Sequence, residues 1–586
     1  MISLFKNLEK KDILIIICVA FLVIFSVFLD LRAPEYMSKI TKLIQTEDST
    51  LKEILMTGFY MLLCAIGSLT VTICVGFLTS LLSARFSRMI RRKIFEQVES
   101  FGIAEIKKFS TSSLITRTTN DVTQMEMLLA MGLQLLIKSP VMAIWALAKI
   151  LGKSSELSLV TGVGVIIIVI TNLTIIRRVT PRFGKIQTLT DKVNNVTREN
   201  ITGIRVVHAF NAEEFEENRF AEVNDDLSNT HLEITKTFAM MDPIMNFVMH
   251  FQHLGIYLLG AILIMKSGMI DKINMFSNMV VFSSYGMQVI ISFLMLTMIF
   301  MILPRARVSA KRIDEVLKEE ASIKDGKYSG KGKETGTIEF KNVSFKYPDA
   351  DEYLLKDISF KANQGETIAF IGSTGSGKST LINLVPRFYD ATEGEVLVDG
   401  VNVKEYSIKE LNNKIGYIPQ TAVMFTGSVA YNTSYGDNGK EKPSLEKIKE
   451  AIEVAQGKDF VEKMDKGYQS HIARGGTNVS GGQKQRLSIA RAIARDPEIY
   501  IFDDSFSALD YQTDAKLRHE LKKHTKNATS MIVAQRIGTI MNADKIVVLD
   551  KGKCVGIGTH KELLKHCAIY KEIALSQLSE EELENA

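Results

Sequence analysis

The sequence predicts two unlike parts: an all-α membrane bundle of six spans, then an α/β domain built around a phosphate-binding loop. Three observations carry this reading. Long apolar runs crowd the chain up to Pro304. Short β-type runs alternate with helical stretches from Ile338 onward. Between them, Lys318–Thr337 is rich in Lys, Glu, Gly and Ser and has little to bury. Composition agrees: 46% hydrophobic and 23% charged residues over 586 positions are too apolar for one soluble enzyme and too charged for a bare membrane bundle. A net charge of +5 with no basic tail points away from nucleic acid. Cys18, Cys64, Cys74, Cys554 and Cys567 lie far apart with no CxxC, which supports neither a disulfide framework nor a zinc site.

Five runs, Ile13–Leu29, Ile54–Ser83, Leu157–Ile176, Pro243–Met265 and Ile273–Pro304, are long enough to cross a bilayer. A sixth, Met127–Leu151, is interrupted by Lys138 and Lys149. Ile13–Leu29 reads as a span and not as a signal peptide, because Asp30-Leu31-Arg32 follows where small residues would mark cleavage. The long loops after Ile54–Ser83 and Leu157–Ile176 hold most of the loop Arg and Lys, among them Arg85, Arg88, Arg91, Arg92, Arg177, Arg178 and Arg182. Basic loops stay in the cytoplasm, so both termini and the second domain are expected there. Ile201–Phe220 reads as an amphipathic helix within the second long loop. Lys138 is an ionisable residue inside a span. It either lines a substrate cavity or lies at the cytoplasmic edge and snorkels.

In the second part, Ile338–Phe345, Thr367–Ile371, Ile415–Ile418, Ile499–Phe502, Ser530–Val533 and Lys545–Leu549 read as strands of a mainly parallel sheet. The expected organisation is 1–317 membrane domain, 318–337 linker, 338–577 α/β domain and 578–586 acidic, frayed tail.

Gly372, Ser373, Thr374, Gly375, Ser376, Gly377, Lys378 and Ser379 fit G-x-x-x-x-G-K-[ST] directly after a strand, and Thr380 opens the helix that follows. The glycines let backbone N–H groups turn toward phosphate, Lys378 reaches the β- and γ-phosphates, and the Ser379 hydroxyl suits Mg²⁺. Asp503 ends a buried strand where a carboxylate helps hold Mg²⁺. Ser480, Gly481, Gly482 and Gln483 open another helix with a hydroxyl and free backbone donors. That is either a second phosphate-binding end, serving a partner's nucleotide, or a simple N-cap.

These motifs, in this order with Ser507-Ala-Leu-Asp510, resemble the nucleotide-binding domain of ATP-binding cassette (ABC) proteins. With six spans before it, the whole chain resembles a half-size ABC exporter of the multidrug type. The fold class implied is a membrane all-α six-helix transmembrane domain fused to an α/β P-loop ABC nucleotide-binding domain. The resemblance implies ATP and Mg²⁺, with Tyr347 stacking on adenine, Gln420 sensing Mg²⁺, and Ser379, Gln420 and Asp503 around the metal. It implies that Ser480–Gln483 completes a site on a partner half-transporter, with Asp510 in the adjoining D-loop. It places coupling helices at Phe101–Phe109 and around Ile204–Glu214, and a multi-pass protein in the cell (inner) membrane.

Three positions depart from the family pattern. Asp504 stands where Glu usually polarises the attacking water, Gln535 replaces the switch histidine, and Arg474 replaces a Glu ahead of the signature. Asp is shorter by about 1–1.5 Å, and such a misplacement costs about 100-fold in rate. Gln can donate a hydrogen bond but cannot carry charge or shuttle a proton. The expectation is an exporter subunit for amphipathic or drug-like compounds in membrane lipid, holding a degenerate site (Asp504, Gln535) and paired in a heterodimer. Methionines of the last two spans, such as Met245, Met287 and Met298, would suit varied apolar ligands or serve ordinary packing. The alternatives are lipid export, peptide export, or a non-transporting ATP-sensing subunit. No peptidase-sized segment precedes the first run, which counts against bacteriocin-type peptide export.

Overall fold

Apolar runs this long must satisfy every backbone group internally, and helices do so. The computed structural model, which describes residues 2–6, 8–46, 49–151, 154–266, 268–330, 334–579 and 583, has six helices long and apolar enough to cross a membrane. They are Lys10–Gln45, Leu51–Glu99, Thr111–Leu151, Ser155–Ala209, Glu213–Lys266 and Lys272–Lys318. The chain forms two compact units: Met1–Glu99 with Thr111–Glu319, and Ser100–Ser110 with Glu320–Ala586.

The described residues of the first unit form helices joined by short connections. Val27 and Leu31 of the first span, Met142 and Ala146 of the third and Phe282 and Tyr285 of the sixth share one buried cluster. The helices run 36 to 55 residues. About 20 residues cross the hydrocarbon core, so most of them continue well past it. The expected amphipathic helix over Ile201–Phe220 is interrupted. One helix ends at Ala209 and the next starts at Glu213, with Asn211 at φ 51° between them. Asn tolerates that left-handed turn, and Glu213, Glu214 and Glu216 favour a new helix N-terminus. The apolar residues of this elbow, Ile201, Val206, Phe210 and Phe215, are exposed.

The described residues of the second unit form twelve strands: β1 Ile338–Phe345, β2 Leu355–Ala362, β3 Thr367–Gly372, β4 Glu393–Val398, β5 Val401–Asn402, β6 Ile415–Ile418, β7 Gly427–Ser428, β8 His471–Ile472, β9 Ile499–Asp503, β10 Thr529–Val533, β11 Lys545–Asp550 and β12 Lys553–Gly558. The main sheet has the order β12-β11-β3-β10-β9-β6, parallel except at the β12 edge. Ile338–Phe345 does not belong to it. It pairs antiparallel with β2 and β4 in a separate sheet, β2-β1-β4-β5. The reason lies in its pattern: β1 alternates buried and open positions, as a one-faced antiparallel strand does. The inner residues of β3, by contrast, are all buried, as a covered parallel strand requires.

In the segment read as a linker, residues 331–333 lie outside the described residues, and the part before them is tied down. Gly326 and Tyr328 N–H donate to the carbonyls of Tyr406 and Glu405 at 3.0 and 2.8 Å, and Tyr328 meets Tyr406 edge-on. A Cβ on Gly326 would lie 2.2 Å from both of those carbonyl oxygens, so no larger residue fits without moving backbone. Residues 580–582 and 584–586 of the acidic tail lie outside the described residues. Leu583 is buried in a cluster with Ile546, Val548 and Tyr570, and Leu578 packs against it.

Candidate functional site

The phosphate loop connects β3 to the helix Lys378–Asn383. Two of its glycines are structurally required. Gly372 passes so close to β11 that a Cβ would sit 2.0 Å from the Leu549 carbonyl oxygen, and Gly377 enters the helix at φ +94°. Lys378 lies inside the loop, donating to the carbonyls of Gly372 and Ser373 at 2.9 and 2.8 Å. Burial pulls its pKa down, opposed by the carboxylates of Asp504 and Asp503.

Register brings the strand ends together. β9 lies two strands from β3, with β10 between them, and ends at Asp503. The Ser379 hydroxyl donates to Asp503 Oδ1 at 2.6 Å. Burial pushes the Asp503 carboxyl upward, against the Ser379 hydrogen bond.

Asp504 follows at φ 48°, its N–H bonded to the Val533 carbonyl at 3.1 Å. Its Oδ2 accepts from Gln535 Nε2 at 2.9 Å and from Gln420 Nε2 at 3.4 Å. Burial first, and then the neighbouring Asp503 charge, raise its pKa, while the two amides oppose the rise. Asp503, Asp504, Gln420, Gln535, Lys378 and Ser379 therefore form one constellation.

Tyr347 is seated by aromatics, edge-on to Phe345 and Tyr389 at 5.0 and 5.3 Å, with its hydroxyl 2.9 Å from Thr380 Oγ1. The short helix Ile103–Phe109, part of the same compact unit, sets Lys107 Nζ 5.2 Å from the Tyr347 ring centroid. The role of this lysine beside the ring was not legible in the sequence, because some 240 residues separate the two. Ile103 and Ala104 of the same helix pack on the core around β1 and β3.

Ser480 caps the helix Gly481–Arg495. Its hydroxyl accepts from Gln483 N–H at 3.3 Å, and Gln483 Oε1 accepts from Ser480 N–H at 2.9 Å. A Cβ on Gly482 would approach the Ala508 carbonyl to 3.3 Å. Asp510 caps the helix Tyr511–His524 through Thr513 N–H at 2.9 Å. Ser480 and Arg474 are exposed, and among the described residues no hydrogen bond joins Ser480–Gln483 to the phosphate loop.

Lys138 is not a free cation. Its Nζ lies 3.1 Å from Asp30 Oδ2 on the first span, and Ser68 of the second span donates to the other carboxylate oxygen. The sequence offers a cavity or the cytoplasmic edge for Lys138; the Asp30 partner, which directly follows the first apolar run, lies more than 100 residues away and shows in no local pattern. The pair sits beside Pro34, which lacks the N–H that would bond the Asp30 carbonyl. Gln288 Nε2 donates to that carbonyl instead at 3.3 Å, and Tyr285 Oη donates to the Leu31 carbonyl at 2.9 Å.

Comparison with known proteins adds two family matches: the ABC transporter transmembrane region over residues 15–301 and the ABC transporter family over residues 355–507. An uncharacterised ABC transporter ATP-binding protein of Mycobacterium tuberculosis is 39% identical over 524 residues, covering 89% of this chain and 87% of that protein. An ATP-dependent lipid A-core flippase of Pseudomonas aeruginosa is 32% identical over 472 residues, covering 80% and 77%. A bacterial Atm1-family ABC exporter with ATP bound matches in structure with a TM-score of 0.81 at 21% identity, over 97% of this chain and all of that one, a likeness of fold.

Proposed function

The chain belongs to the ABC transporters, as a half-size exporter subunit that couples ATP hydrolysis to transport, and on that premise we propose that its own ATP site turns over slowly while its signature completes a faster site on a partner half-transporter. The supporting observation is the Asp504 carboxylate, one methylene shorter than the family's Glu and bonded to the amides of Gln535 and Gln420.

In this reading the adenine lies on the Tyr347 ring and the loop N–H groups of Gly372–Thr380 wrap the phosphates. Lys378 exchanges its loop carbonyls for phosphate oxygens. Ser379, Asp503 and Gln420 offer the oxygen donors that Mg²⁺ prefers. Among the described residues no cluster of three or more His, Cys, Asp or Glu forms a metal cage. Mg²⁺ would therefore take its remaining ligands from phosphate and water, and its chemistry is to neutralise phosphate charge. Asp504 orients the attacking water poorly, because its reach is short and Gln535 competes for the same oxygen.

The exposed Ser480 serves a nucleotide held by the partner, which makes a heterodimer with one degenerate and one competent site the economical assembly. The cassette and both termini lie in the cytoplasm, and the spans lie in the cell membrane, following the basic loops. The cargo is an amphipathic compound. Lipid is a second reading, favoured by the lipid A-core flippases among the relatives.

The test uses two variants of this chain in the complex purified from its own cells. Asp504→Asn is expected to lower ATPase and transport by less than about twofold. Ser480→Arg is expected to lower both by about 10-fold or more, since it obstructs the partner's γ-phosphate. Equal damage from the two would make this chain's own site the productive one and overturn the proposal.

A further inference from the structure

The fifth membrane helix carries a polar face that neither the cassette chemistry nor the bundle core uses. In Met241–Lys266, Asp242, Asn246, His250, His253 and Tyr257 recur at spacings of four, four, three and four residues. At 3.6 residues per turn they fall within an arc of about 80° and span about 22 Å of helix. Asp242, Asn246, His250 and Tyr257 are exposed and His253 is half-buried. A second arc, Met245, Val248, Gln252 and Ile256, is buried in the bundle. A third, Phe247, Phe251, Leu254 and Leu258, is 46% to 66% exposed and wholly apolar.

The helix cannot rotate to hide the polar arc. Gln252 is buried and its Nε2 reaches Thr161 Oγ1 of the fourth span at 3.4 Å. A Cβ on Gly286 of the sixth span would lie 1.7 Å from the same Nε2. The glycine is the room that Gln252 occupies, and this interlock fixes which faces look outward.

Two imidazoles, an amide, a carboxylate and a phenol are not left against hydrocarbon. The Phe–Leu arc is the one that suits lipid tails. The polar arc beside it needs a polar occupant. Its chemistry is donor-rich: each imidazole keeps at least one N–H in every protonation state, Tyr257 has its hydroxyl, and Asn246 keeps one N–H after donating the other to Asp242 Oδ2 at 3.2 Å. His253 and Tyr257 stand together, with ring centroids 6.5 Å apart. Among the described residues no hydrogen bond ties either imidazole to the bundle. A quaternary ammonium headgroup would find one carboxylate there, at the end of the stripe and already bonded.

We propose that Asn246, His250, His253 and Tyr257 form a headgroup track for an amphiphile bearing a phosphate or carboxylate, with its tail on the neighbouring Phe247–Leu258 strip. This rests on the exporter reading and names the cargo class for it.

The test starts from the full chain with its five cysteines changed to alanine, in its native membranes with its partner. Single cysteines go in at His250 and Tyr257 on the track, and at Phe247 and Leu254 on the apolar strip. A charged, membrane-impermeant thiosulfonate is expected to label the track at least 10-fold faster than the strip. Hexadecyl phosphate is expected to slow track labelling at least fivefold. Inorganic phosphate and hexadecyltrimethylammonium at equal concentration are expected to slow it by less than twofold.

Track labelling no faster than strip labelling, from cover by lipid or by the partner, overturns the proposal. So does equal protection by hexadecyltrimethylammonium. Equal protection by inorganic phosphate overturns the assignment of the tail. ATP-driven movement of hexadecyltrimethylammonium with an unlabelled track sinks this inference and leaves the exporter reading standing. Labelling and protection as expected, with no ATP-driven movement of hexadecyl phosphate, overturns the assignment of the track to cargo and leaves the exporter reading standing.

Discussion

Asp504 carries its carboxylate at the end of a buried strand, on a residue held at φ 48° by a backbone hydrogen bond to Val533. The backbone is pinned, so the side chain's length sets how far the carboxylate extends. Gln535 fills the gap that a longer residue would cross, at 2.9 Å from Oδ2. Lengthening one residue and changing the other should therefore act together. Gln535→His alone is expected to change hydrolysis little, because the carboxylate still falls short. Asp504→Glu with Gln535→His is expected to raise this site's rate by about 10- to 100-fold, with ATP affinity within about twofold of native. Single-turnover hydrolysis, with the partner's own site disabled, measures it. A double variant as slow as the native chain would show that something else limits this site.

At the scale of elements, the first span is tied to three others around Pro34. Lys138 answers Asp30, Ser68 holds the same carboxylate, and Gln288 and Tyr285 take carbonyls next to the proline. Lys138→Met leaves Asp30 without its counter-ion, which is expected to cost about 1–3 kcal/mol, less than a fully buried pair because both side chains are a quarter exposed. Asp30→Asn with Lys138→Met removes both charges and is expected to recover most of the loss. Apparent Tm in detergent for the two singles and the double checks this; a double variant worse than either single would contradict it.

The helix His560–His566 makes a pH-dependent contribution of its own. His560 is buried, its Nδ1 is 2.6 Å from Tyr570 Oη, and Nε2 finds no partner among the described residues. Burial lowers its pKa below the ordinary value of 6.5. The unfolded chain then takes up the proton first, so this stability is whole above about pH 6.5 and is lost as pH falls through the folded-state pKa. Tm of the full chain is expected to fall more steeply between pH 7 and pH 5.5 than Tm of His560→Gln. Parallel slopes would remove His560 as the cause.

At the scale of the molecule, one chain holds one phosphate loop and one signature, and the two do not meet within it. Purified alone, the chain is expected to bind ATP through Lys378 and Tyr347 yet hydrolyse it at least 10-fold more slowly than the partnered complex. ATP binding and steady-state ATPase on the same preparation decide the matter, and full-speed turnover by the lone chain would refute the division of labour.

Local chemistry was enough to show the six apolar runs, the phosphate loop at Gly372–Ser379 and the strand ending in Asp503, because each is written in contiguous residues whose period or spacing carries its own physics. The same sequence placed Asp504 and Gln535 in their motifs by resemblance. What no local pattern held was pairing at a distance. The Asp504–Gln535 bond depends on β10 lying beside β9. The Asp30–Lys138 pair depends on which faces of two spans meet, and a membrane helix shows no period that says which neighbour it will choose. The separate antiparallel sheet depends on β4 returning to β1 across the phosphate loop. The polar arc of the fifth span exists in the sequence as a spacing. Only the interlock of Gln252 with Gly286 decided that it faces outward, because a helix's rotation is set by the shape of what packs against it.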